Sequence, residues 1–329
     1  MANLKEIADH LQISVSTVSR ALNGSNSISK EVQARVRATA EELGYTLKGR
    51  GGKYSPEWNI AGLIVAEVCS EYYAQIVHLA QERFAQRGYS TVIQITNFDY
   101  GNLHSAIRIM KSIGVRCLLI VMDDEEKISE EIMHAIHKSG LPVMLVTSKY
   151  FDMIDVDCIH TNETSGIVMG IQHLLARGYR KIGFIGERMT ENRHVIFKQV
   201  MEERVPSWLP QFIAVGRERG ATGGYLRMKE LLSMEERPDA VFASYDLMAI
   251  GAIHAIREAG LQIPEDIAIL GFDNITESEY VEGGITTIAS PSEDMISIAI
   301  NILMKRIQSS AGALQQVALQ PKLIIRKTT

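Results

Sequence analysis

Cysteine is scarce in this chain, which has three in 329 residues. Cys69, Cys117 and Cys158 lie far apart in sequence, and each is near an apolar run. A disulfide framework or a cysteine metal site normally needs more cysteines at closer spacing. We therefore expect three buried thiols, with no disulfide and no bound metal.

Long apolar runs are also absent, since none approaches the roughly 20 residues that span a bilayer. The N-terminal MANLKEIADHLQ is amphipathic and lacks the apolar segment of a secretion signal. The sequence has no Gly-rich dinucleotide or phosphate loop, no G-x-S-x-G motif and no His/Glu metal spacing. These absences predict a cytoplasmic protein without a cofactor, and they disfavour an enzyme.

The net charge of −5 is unevenly distributed along the chain. Residues 1–53 contain eight Lys and Arg against five Asp and Glu, so the excess of acidic residues lies in the rest of the chain. Attraction to DNA phosphates acts over about a Debye length, ~10 Å, so a basic segment can act locally on an acidic protein. The distribution weakly indicates that the N-terminal segment contacts nucleic acid.

Residues 1–45 have the pattern of three short helices, in which apolar residues recur at helical spacing. A capping residue precedes each predicted helix: Asn3, in capping-box spacing with Glu6, then Ser14 and Ser29. The second helix, residues 15–22, is short and rich in Ser and Thr. This order is typical of a helix-turn-helix, whose second helix enters the major groove of DNA, although a three-helix bundle without DNA binding has similar periodicity.

The stretch LKEIADHLQISVSTVSRALNGSNSISKEVQARVRATAEELGY resembles the DNA-binding head of the LacI/GalR family of bacterial transcriptional regulators. The resemblance includes TVSR at 17–20 and LGY at 43–45. It implies that three side chains read base edges in operator DNA: Val15, Ser16 and Arg20. It also implies that three others bind phosphates: Thr17, Ser19 and Asn23. An arginine such as Arg20 can bind guanine O6 and N7 together.

Two features depart from the family pattern. Gln12 stands in the turn where Gly or Asn is usual, and a positive φ there would cost about 1 kcal/mol. The hinge or linker, residues 46–58, has three glycines within four residues and lacks the family's Pro-Asn and Ala-Arg-x-Leu. Counting from Tyr45, the position at which the resembled family pushes a leucine into the minor groove falls on Tyr54. Since each internal Gly costs a helix about 1 kcal/mol relative to Ala, we predict a poor hinge helix and weaker or different wedging.

From residue 59 onward, apolar runs of five to seven residues alternate with amphipathic helical stretches. Examples of the runs are AGLIV at 61–65, CLLIV at 117–121 and IAILGF at 267–272. Strands that are apolar throughout and separated by helices indicate parallel sheets covered on both faces. The number of units favours an α/β architecture of two doubly wound lobes. Ligands in such folds bind beyond the carboxyl ends of the strands.

The core, residues 59–329, continues the resemblance through motifs such as GYRKI at 178–182, PDAVFA at 238–243 and GFDN at 271–274. The implied fold is a type I periplasmic-binding-protein-like core in which the chain crosses three times between lobes. By that layout the first lobe contains about 59–158 and 290–318. The second lobe contains about 159–289 and 319–329. Residues 1–45 form a separate DNA-binding domain.

The resemblance also implies which residues bind an effector between the lobes. Asp273 matches a carboxylate that accepts ligand hydroxyls, and Arg193 matches an arginine that clamps the ligand. Aromatic and hydroxyl side chains complete the predicted set: Tyr72, Tyr73, Thr147, Ser244 and Tyr245. Tyr245 replaces a frequent Asn, and Thr147 stands where some sugar-binding members carry Asp. These two departures weaken the case for any particular sugar.

The sequence therefore predicts a repressor that binds operator DNA as a homodimer and responds to a small, sugar-like effector. A regulator of the same family controlled by a nucleobase or by a phosphocarrier protein remains an alternative. A solute-binding transport protein shares the core but is disfavoured by the head and by the missing secretion signal.

Overall fold

The computed structural model describes residues 3–22, 25, 27–43, 45, 59–122, 130–147, 155–309 and 312–329. The chain forms two compact units, Met1–Trp58 and Asn59–Thr329. Asn23, Tyr54 and the whole predicted hinge at 46–58 lie outside the described residues, so the predictions made for them stay predictions. No helix in the described part of the chain is both long and apolar enough to cross a membrane.

The N-terminal unit contains three helices: α1 (Leu4–Leu11), α2 (Val15–Leu22) and α3 (Lys30–Glu42). Asn3 caps α1 in the predicted capping box, and the Thr17 amide donates to the Ser14 hydroxyl at 3.1 Å. Gln12 ends α1 with a φ of 54°, the positive value that its place in the turn predicts. The helices enclose a small apolar core: Ile7, Ala8, Val18, Ala21, Leu22, Val36 and Ala40.

Twelve strands are present in the described residues of the core unit: β1 (Ile60–Val65), β2 (Ser90–Ile95), β3 (Cys117–Val121), β4 (Val143–Thr147), β5 (Asp157–Thr161), β6 (Ile182–Glu187), β7 (Ile213–Gly216), β8 (Ala240–Ala243), β9 (Ala268–Asp273), β10 (Thr286–Ala289), β11 (Gln316–Leu319) and β12 (Lys322–Ile324). Eight helices accompany them: α4 (Glu71–Ala85), α5 (Tyr100–Ile113), α6 (Glu130–Ser139), α7 (Glu163–Ala176), α8 (Glu191–Arg204), α9 (Gly220–Leu232), α10 (Asp246–Glu258) and α11 (Ser292–Gln308).

These strands form two six-stranded sheets, with the orders β11-β5-β4-β3-β1-β2 and β12-β10-β9-β8-β6-β7. All described pairings are parallel except that of β12, which runs antiparallel to β10 at an edge. Apolar side chains cover both faces of each sheet, so central strands such as β3 and β4 are buried along their whole length. The predicted α/β architecture of two doubly wound lobes is confirmed.

The chain passes between the sheets three times, after β5, after β10 and after β11. We call the first sheet with its helices the first lobe, and the second sheet with its helices the second lobe. The sheets move two boundaries slightly. Strand β5 extends the first lobe to Thr161 rather than to about 158, and β11 extends it to Leu319 rather than to 318.

Helices α9 and α10 in the second lobe pack unusually close together because glycines face the partner helix. A Cβ atom on Gly224 would lie 2.0 Å from the carbonyl oxygen of Met248. A Cβ atom on Gly251 would lie 1.8 Å from the carbonyl oxygen of Ala221. Real side chains never approach backbone this closely, so these glycines set the distance between the two helices.

The three cysteines differ from expectation in one case. Cys117 and Cys158 are buried free thiols, as predicted, and burial raises the pKa of Cys117 to about 12. Cys69 is exposed and lies in the loop after β1, so the prediction that it is buried was wrong. An apolar strand ends shortly before Cys69, and the sequence did not reveal that the chain has left the core by that point.

Candidate functional site

A cavity of about 290 Å³ lies between the two lobes, at the carboxyl ends of their strands. We call it the cleft. Segments after β1, β2, β3 and β4 line it from the first lobe, and segments after β6, β7, β8 and β9 line it from the second. Its volume is near the lower end of the range for small-molecule pockets, about 300–1,000 Å³. The cleft therefore has room for one compact ligand.

Arg193 and Asp273, predicted to face one pocket, both line the cleft and contact each other. The Nη2 group of Arg193 lies 3.3 Å from Oδ1 of Asp273, and its Nε donates to Glu163 at 2.6 Å. Its Nη1 donates to the carbonyl oxygen of Ser244, and the guanidinium stacks 3.9 Å from the Phe272 ring centroid. The cation is thus held rigidly by carboxylates, a carbonyl and a ring.

Glu163 was not among the residues predicted from the sequence. It is the first residue of α7, directly after the cap residue Asn162, and its side chain is buried. An acidic residue in the first turn of a helix has an ordinary explanation in the helix dipole. Its bond to Arg193 joins residues 30 positions apart and depends on how α7 and α8 pack. No sequence signal marks that contact.

Asp273 is held in place by an unusual backbone. Its φ is 97° and that of Asn274 is 58°, both in the region that favours glycine. The buried carboxyl group of Asp246 supports this turn by accepting from the Ile275 amide at 3.0 Å and from the Thr287 hydroxyl at 2.6 Å. Burial raises the pKa of Asp273, and the nearby Arg193 opposes that effect. Asp246 therefore helps to position Asp273 in the cleft.

Asp246→Asn is expected to change how stability depends on pH. Burial raises the pKa of Asp246 from its ordinary 3.8 to about 8, and the nearby Asp273 adds to this rise. Between these values the folded protein binds more protons than the unfolded chain. The contribution of Asp246 to the free energy of unfolding is therefore largest in acid and declines as pH rises from about 4 to about 8.

Urea unfolding of the wild type and of Asp246→Asn between about pH 5 and about pH 8 measures this effect. The difference in unfolding free energy should shift in favour of the variant as pH rises. Asp294→Asn, which changes an exposed carboxylate in the first turn of α11, is the matched control and should leave the profile unchanged. Parallel profiles for the wild type and Asp246→Asn would contradict the raised pKa.

A second arginine, Arg219, connects the two lobes across the cleft. Its Nε donates to Glu187 of the second lobe at 3.0 Å, and its Nη2 donates to Glu67 of the first lobe at 3.1 Å. The guanidinium also lies 4.1 Å from the ring centroid of Phe98. Burial favours a lower pKa for Arg219, but the two carboxylates outweigh it, so the pKa is raised. Sequence reasoning missed this bridge, whose partners are as many as 152 positions apart.

On the head, the predicted base-reading residues lie along one side of α2. Val15, Ser16 and Arg20 are exposed, whereas Val18 on the opposite side is fully buried. The Ser14 hydroxyl lies 2.8 Å from the hydroxyls of both Ser16 and Thr17. Thr17 and Ser19 are partly buried. The helix therefore presents short polar side chains and one arginine on its accessible surface.

The chain matches two families of known proteins. Residues 3–47 match "Bacterial regulatory proteins, lacI family", and residues 171–329 match "Periplasmic binding protein-like domain". Together the two matches cover more than half of the chain. It is a LacI/GalR-family protein.

Individual relatives of this LacI/GalR-family protein match it from end to end. The ribose operon repressor of Haemophilus influenzae is 29% identical over 100% of this chain and 98% of that protein. The HTH-type transcriptional repressor PurR of the same species is also 29% identical, with the same coverage. The structure of a LacI-family regulator from Silicibacter pomeroyi has a TM-score of 0.79 at 20% identity, covering 100% of this chain and 99% of that one.

The LacI/GalR-family protein is therefore a DNA-binding transcriptional repressor with a helix-turn-helix head and a periplasmic-binding-protein-like core. The curated relatives are repressors, not enzymes. Among the described residues, no group of His, Cys, Asp and Glu side chains is arranged to hold a metal ion.

Of the other predicted effector residues of this LacI/GalR-family protein, all but one line the cleft. Tyr72, Tyr73, Thr147 and Tyr245 line the cleft, and the two neighbouring tyrosines pack edge to face at 5.4 Å. Ser244 does not reach it: the side chain is fully buried, and its hydroxyl lies 3.1 Å from the Met248 sulfur. Because the helix α10 begins directly after Tyr245, Ser244 points into the core and contributes only its carbonyl oxygen, to Arg193.

The hydroxyl group of Tyr245 is already hydrogen-bonded within the protein. Its hydroxyl donates to Glu187 at 2.8 Å and accepts from the Gly220 amide at 2.8 Å. Burial and the neighbouring carboxylate raise its pKa, so the phenol stays protonated. Tyr245 thus connects the Arg219 bridge to the start of α9.

Proposed function

We propose that this LacI/GalR-family repressor controls a carbohydrate-utilisation operon and that a small sugar-like effector in the cleft sets its operator affinity. The observation that carries the proposal is the pair of Arg193 and Asp273 at the cleft wall. A guanidinium donates and a carboxylate accepts, which suits a ligand that presents several hydroxyls in fixed directions. The Tyr72 ring supplies an apolar surface of the kind that covers a sugar ring.

The size and lining of the cleft favour a single sugar ring over a larger or flat aromatic ligand. One face of Phe98 is covered by the Arg219 guanidinium, so that face is unavailable for stacking a nucleobase. Thr147 and Thr190 add hydroxyls along the wall. The name of one relative, the ribose operon repressor, agrees with a sugar. A nucleobase or a phosphocarrier protein is the competing kind of regulator.

The proposed mechanism is a shift between two states of the core. The repressor works as a cytoplasmic homodimer, in which two heads bind the two halves of a near-palindromic operator. An effector that contacts both lobes stabilises one arrangement of them. It changes DNA affinity only by its differential affinity for the two states, typically about 1–3 kcal/mol.

A thermal-shift screen of monosaccharides, with purines as the competing class, tests the effector. At about 100-fold excess over its dissociation constant, a bound ligand adds ~2.7 kcal/mol, which raises Tm by several degrees. We expect a monosaccharide to produce such a shift, and Asp273→Asn to abolish it. Asp155→Asn, an exposed carboxylate remote from the cleft, should keep it. A shift with purines alone would overturn the sugar proposal.

Arg20→Ala is expected to lower affinity for the preferred operator by about 5- to 150-fold, the equivalent of one bidentate base contact. The preferred duplex is first selected by the wild type from a randomised library, and binding is measured at fixed salt against an unrelated duplex. Arg20→Lys keeps the positive charge but loses the guanidinium group that can make two hydrogen bonds to one guanine. Relative to Arg20→Ala, it should therefore recover non-specific binding only.

Arg35→Ala serves as the matched control, because Arg35 is an exposed arginine on α3. Arg35→Ala should weaken binding to both duplexes by the same factor if Arg35 contributes to DNA binding only through its charge. If Arg20→Ala also weakens binding to both duplexes by the same factor, Arg20 does not read bases.

A further inference from the structure

The charges that face the cleft are unequal in number. Among its described lining residues there are four carboxylates, which are Glu67, Glu71, Glu187 and Asp273, and two guanidinium groups, which are Arg193 and Arg219. A fifth carboxylate, Glu163, lies directly behind Arg193 and binds it. The described wall of the cleft therefore has more negative than positive charge.

Both arginines already use their charge within the protein. Arg193 is shared between Glu163 and Asp273, and it is stacked against Phe272. Arg219 is shared between Glu187 and Glu67, and it is stacked against Phe98. Each cation thus has two carboxylate partners and one covered face. An anionic group entering the cleft would have to compete with a carboxylate for either of them.

This arrangement disfavours an anionic ligand for two physical reasons. A phosphate or carboxylate loses its hydration when it enters a partly enclosed space, and this loss has to be compensated by cations. Here it would instead meet carboxylates, and placing like charges together in a recognition site is a strong source of discrimination. A neutral hydroxyl can accept from the same guanidinium edge without displacing a carboxylate.

We infer that the effector is an uncharged polyol, such as an unphosphorylated monosaccharide, and that Glu67, Glu187 and Arg219 determine this selectivity. The inference rests on the proposed function, since it specifies the ligand of the same cleft. Glu187 is the decisive member because its side chain is 2% exposed and binds both Arg219 and the Tyr245 hydroxyl. The two carboxylates neutralise the positive charge of Arg219, so this charge is not available to an anionic ligand.

Glu187→Gln is the informative variant. A glutamine has the same shape and keeps an oxygen that accepts from Arg219 and Tyr245, but it removes the negative charge. Burial raises the pKa of Glu187 and Arg219 opposes that effect, so the neutral side chain loses an ion pair but no longer has the desolvation cost of a buried charge. Arg219 is left with one carboxylate, Glu67, and becomes available to a ligand phosphate.

Calorimetry with matched pairs, ribose against ribose 5-phosphate and glucose against glucose 6-phosphate, measures the selectivity in phosphate-free buffer. For the wild type, the neutral sugar of the pair that binds should be preferred by about 100-fold or more. Glu187→Gln should reduce this preference by about tenfold or more. Glu293→Gln, an exposed carboxylate of a surface ion pair, is the control and should leave the preference unchanged.

Equal or tighter binding of the phosphorylated sugar by the wild type would overturn the inference. Inorganic phosphate provides a second readout that does not depend on which sugar is recognised. It should stabilise Glu187→Gln but not the wild type or Glu293→Gln in a thermal-shift assay. If phosphate stabilises all three proteins alike, the charge argument is wrong. If no sugar in the thermal-shift screen or in calorimetry binds, the proposed sugar effector fails, and the phosphate readout still decides the inference about charge.

Discussion

Replacing Arg193 by methionine is expected to lower the free energy of unfolding by about 3–5 kcal/mol, as for other buried ion pairs that lose one partner. The side chains of Glu163 and Asp273 are 2% and 9% exposed, and each forms an ion pair with this guanidinium. Without it, two buried carboxylates are left close together with no cation between them. Methionine keeps most of the apolar volume, so the loss reflects charge more than a cavity.

Urea unfolding at neutral pH measures the effect of Arg193→Met. Lys181→Met removes a cation from an exposed pair with Glu236 and should cost no more than about 1 kcal/mol. The double variant Arg193→Met with Glu163→Gln should recover part of the loss, because one of the unpaired charges is gone. If Arg193→Met lowers the free energy of unfolding no more than Lys181→Met does, the ion pairs of Arg193 are not what stabilises these buried carboxylates.

Gly251→Ala is expected to destabilise the second lobe by about 3 kcal/mol, at the upper end for overpacking. The added methyl group would lie 1.8 Å from the Ala221 carbonyl oxygen and 2.8 Å from the Tyr225 nitrogen. Both atoms are backbone, so α9 and α10 have to move apart along their whole contact. The intrinsic preference of alanine for helices, about 1 kcal/mol over glycine, is too small to compensate.

Thermal and urea unfolding of Gly251→Ala test this expectation, with Gly101→Ala as the matched helical control. A Cβ atom on Gly101 would meet only the Asp99 side chain, at 3.1 Å. Its effect should stay within about 1 kcal/mol. Unfolding of Gly251→Ala at the same temperature as the wild type would show that α9 and α10 tolerate a wider spacing.

The parts of this protein that were predictable from sequence are those set by local chemistry. The Asn3 capping box, the Ser14 cap and the positive φ of Gln12 each depend on neighbouring residues only. The alternation of apolar runs and helices likewise predicted two parallel sheets, because strands covered on both faces need apolar residues throughout. Arg193 and Asp273 were identified through motifs and are found in contact.

The remaining features depend on contacts between distant residues. Arg219 bonds Glu67 across 152 positions, and Glu187 meets Tyr245 across 58, so neither pairing leaves a local pattern. Ser244 was misplaced because two adjacent residues at a strand end point in different directions, and the sequence does not say which one faces the cleft. The predicted position of this side chain therefore differs from the structure where the turn between strand and helix decides orientation.

The three passages of the chain between the lobes have a consequence for synthesis and for protein engineering. The first sheet lacks its edge strand until Leu319 has left the ribosome, and α11, which covers one of its faces, is also made late. Neither lobe can be completed during most of translation. A hybrid regulator that takes one lobe from a relative consequently needs three junctions, near residues 162, 290 and 320, and a single fusion point would leave both halves with missing parts.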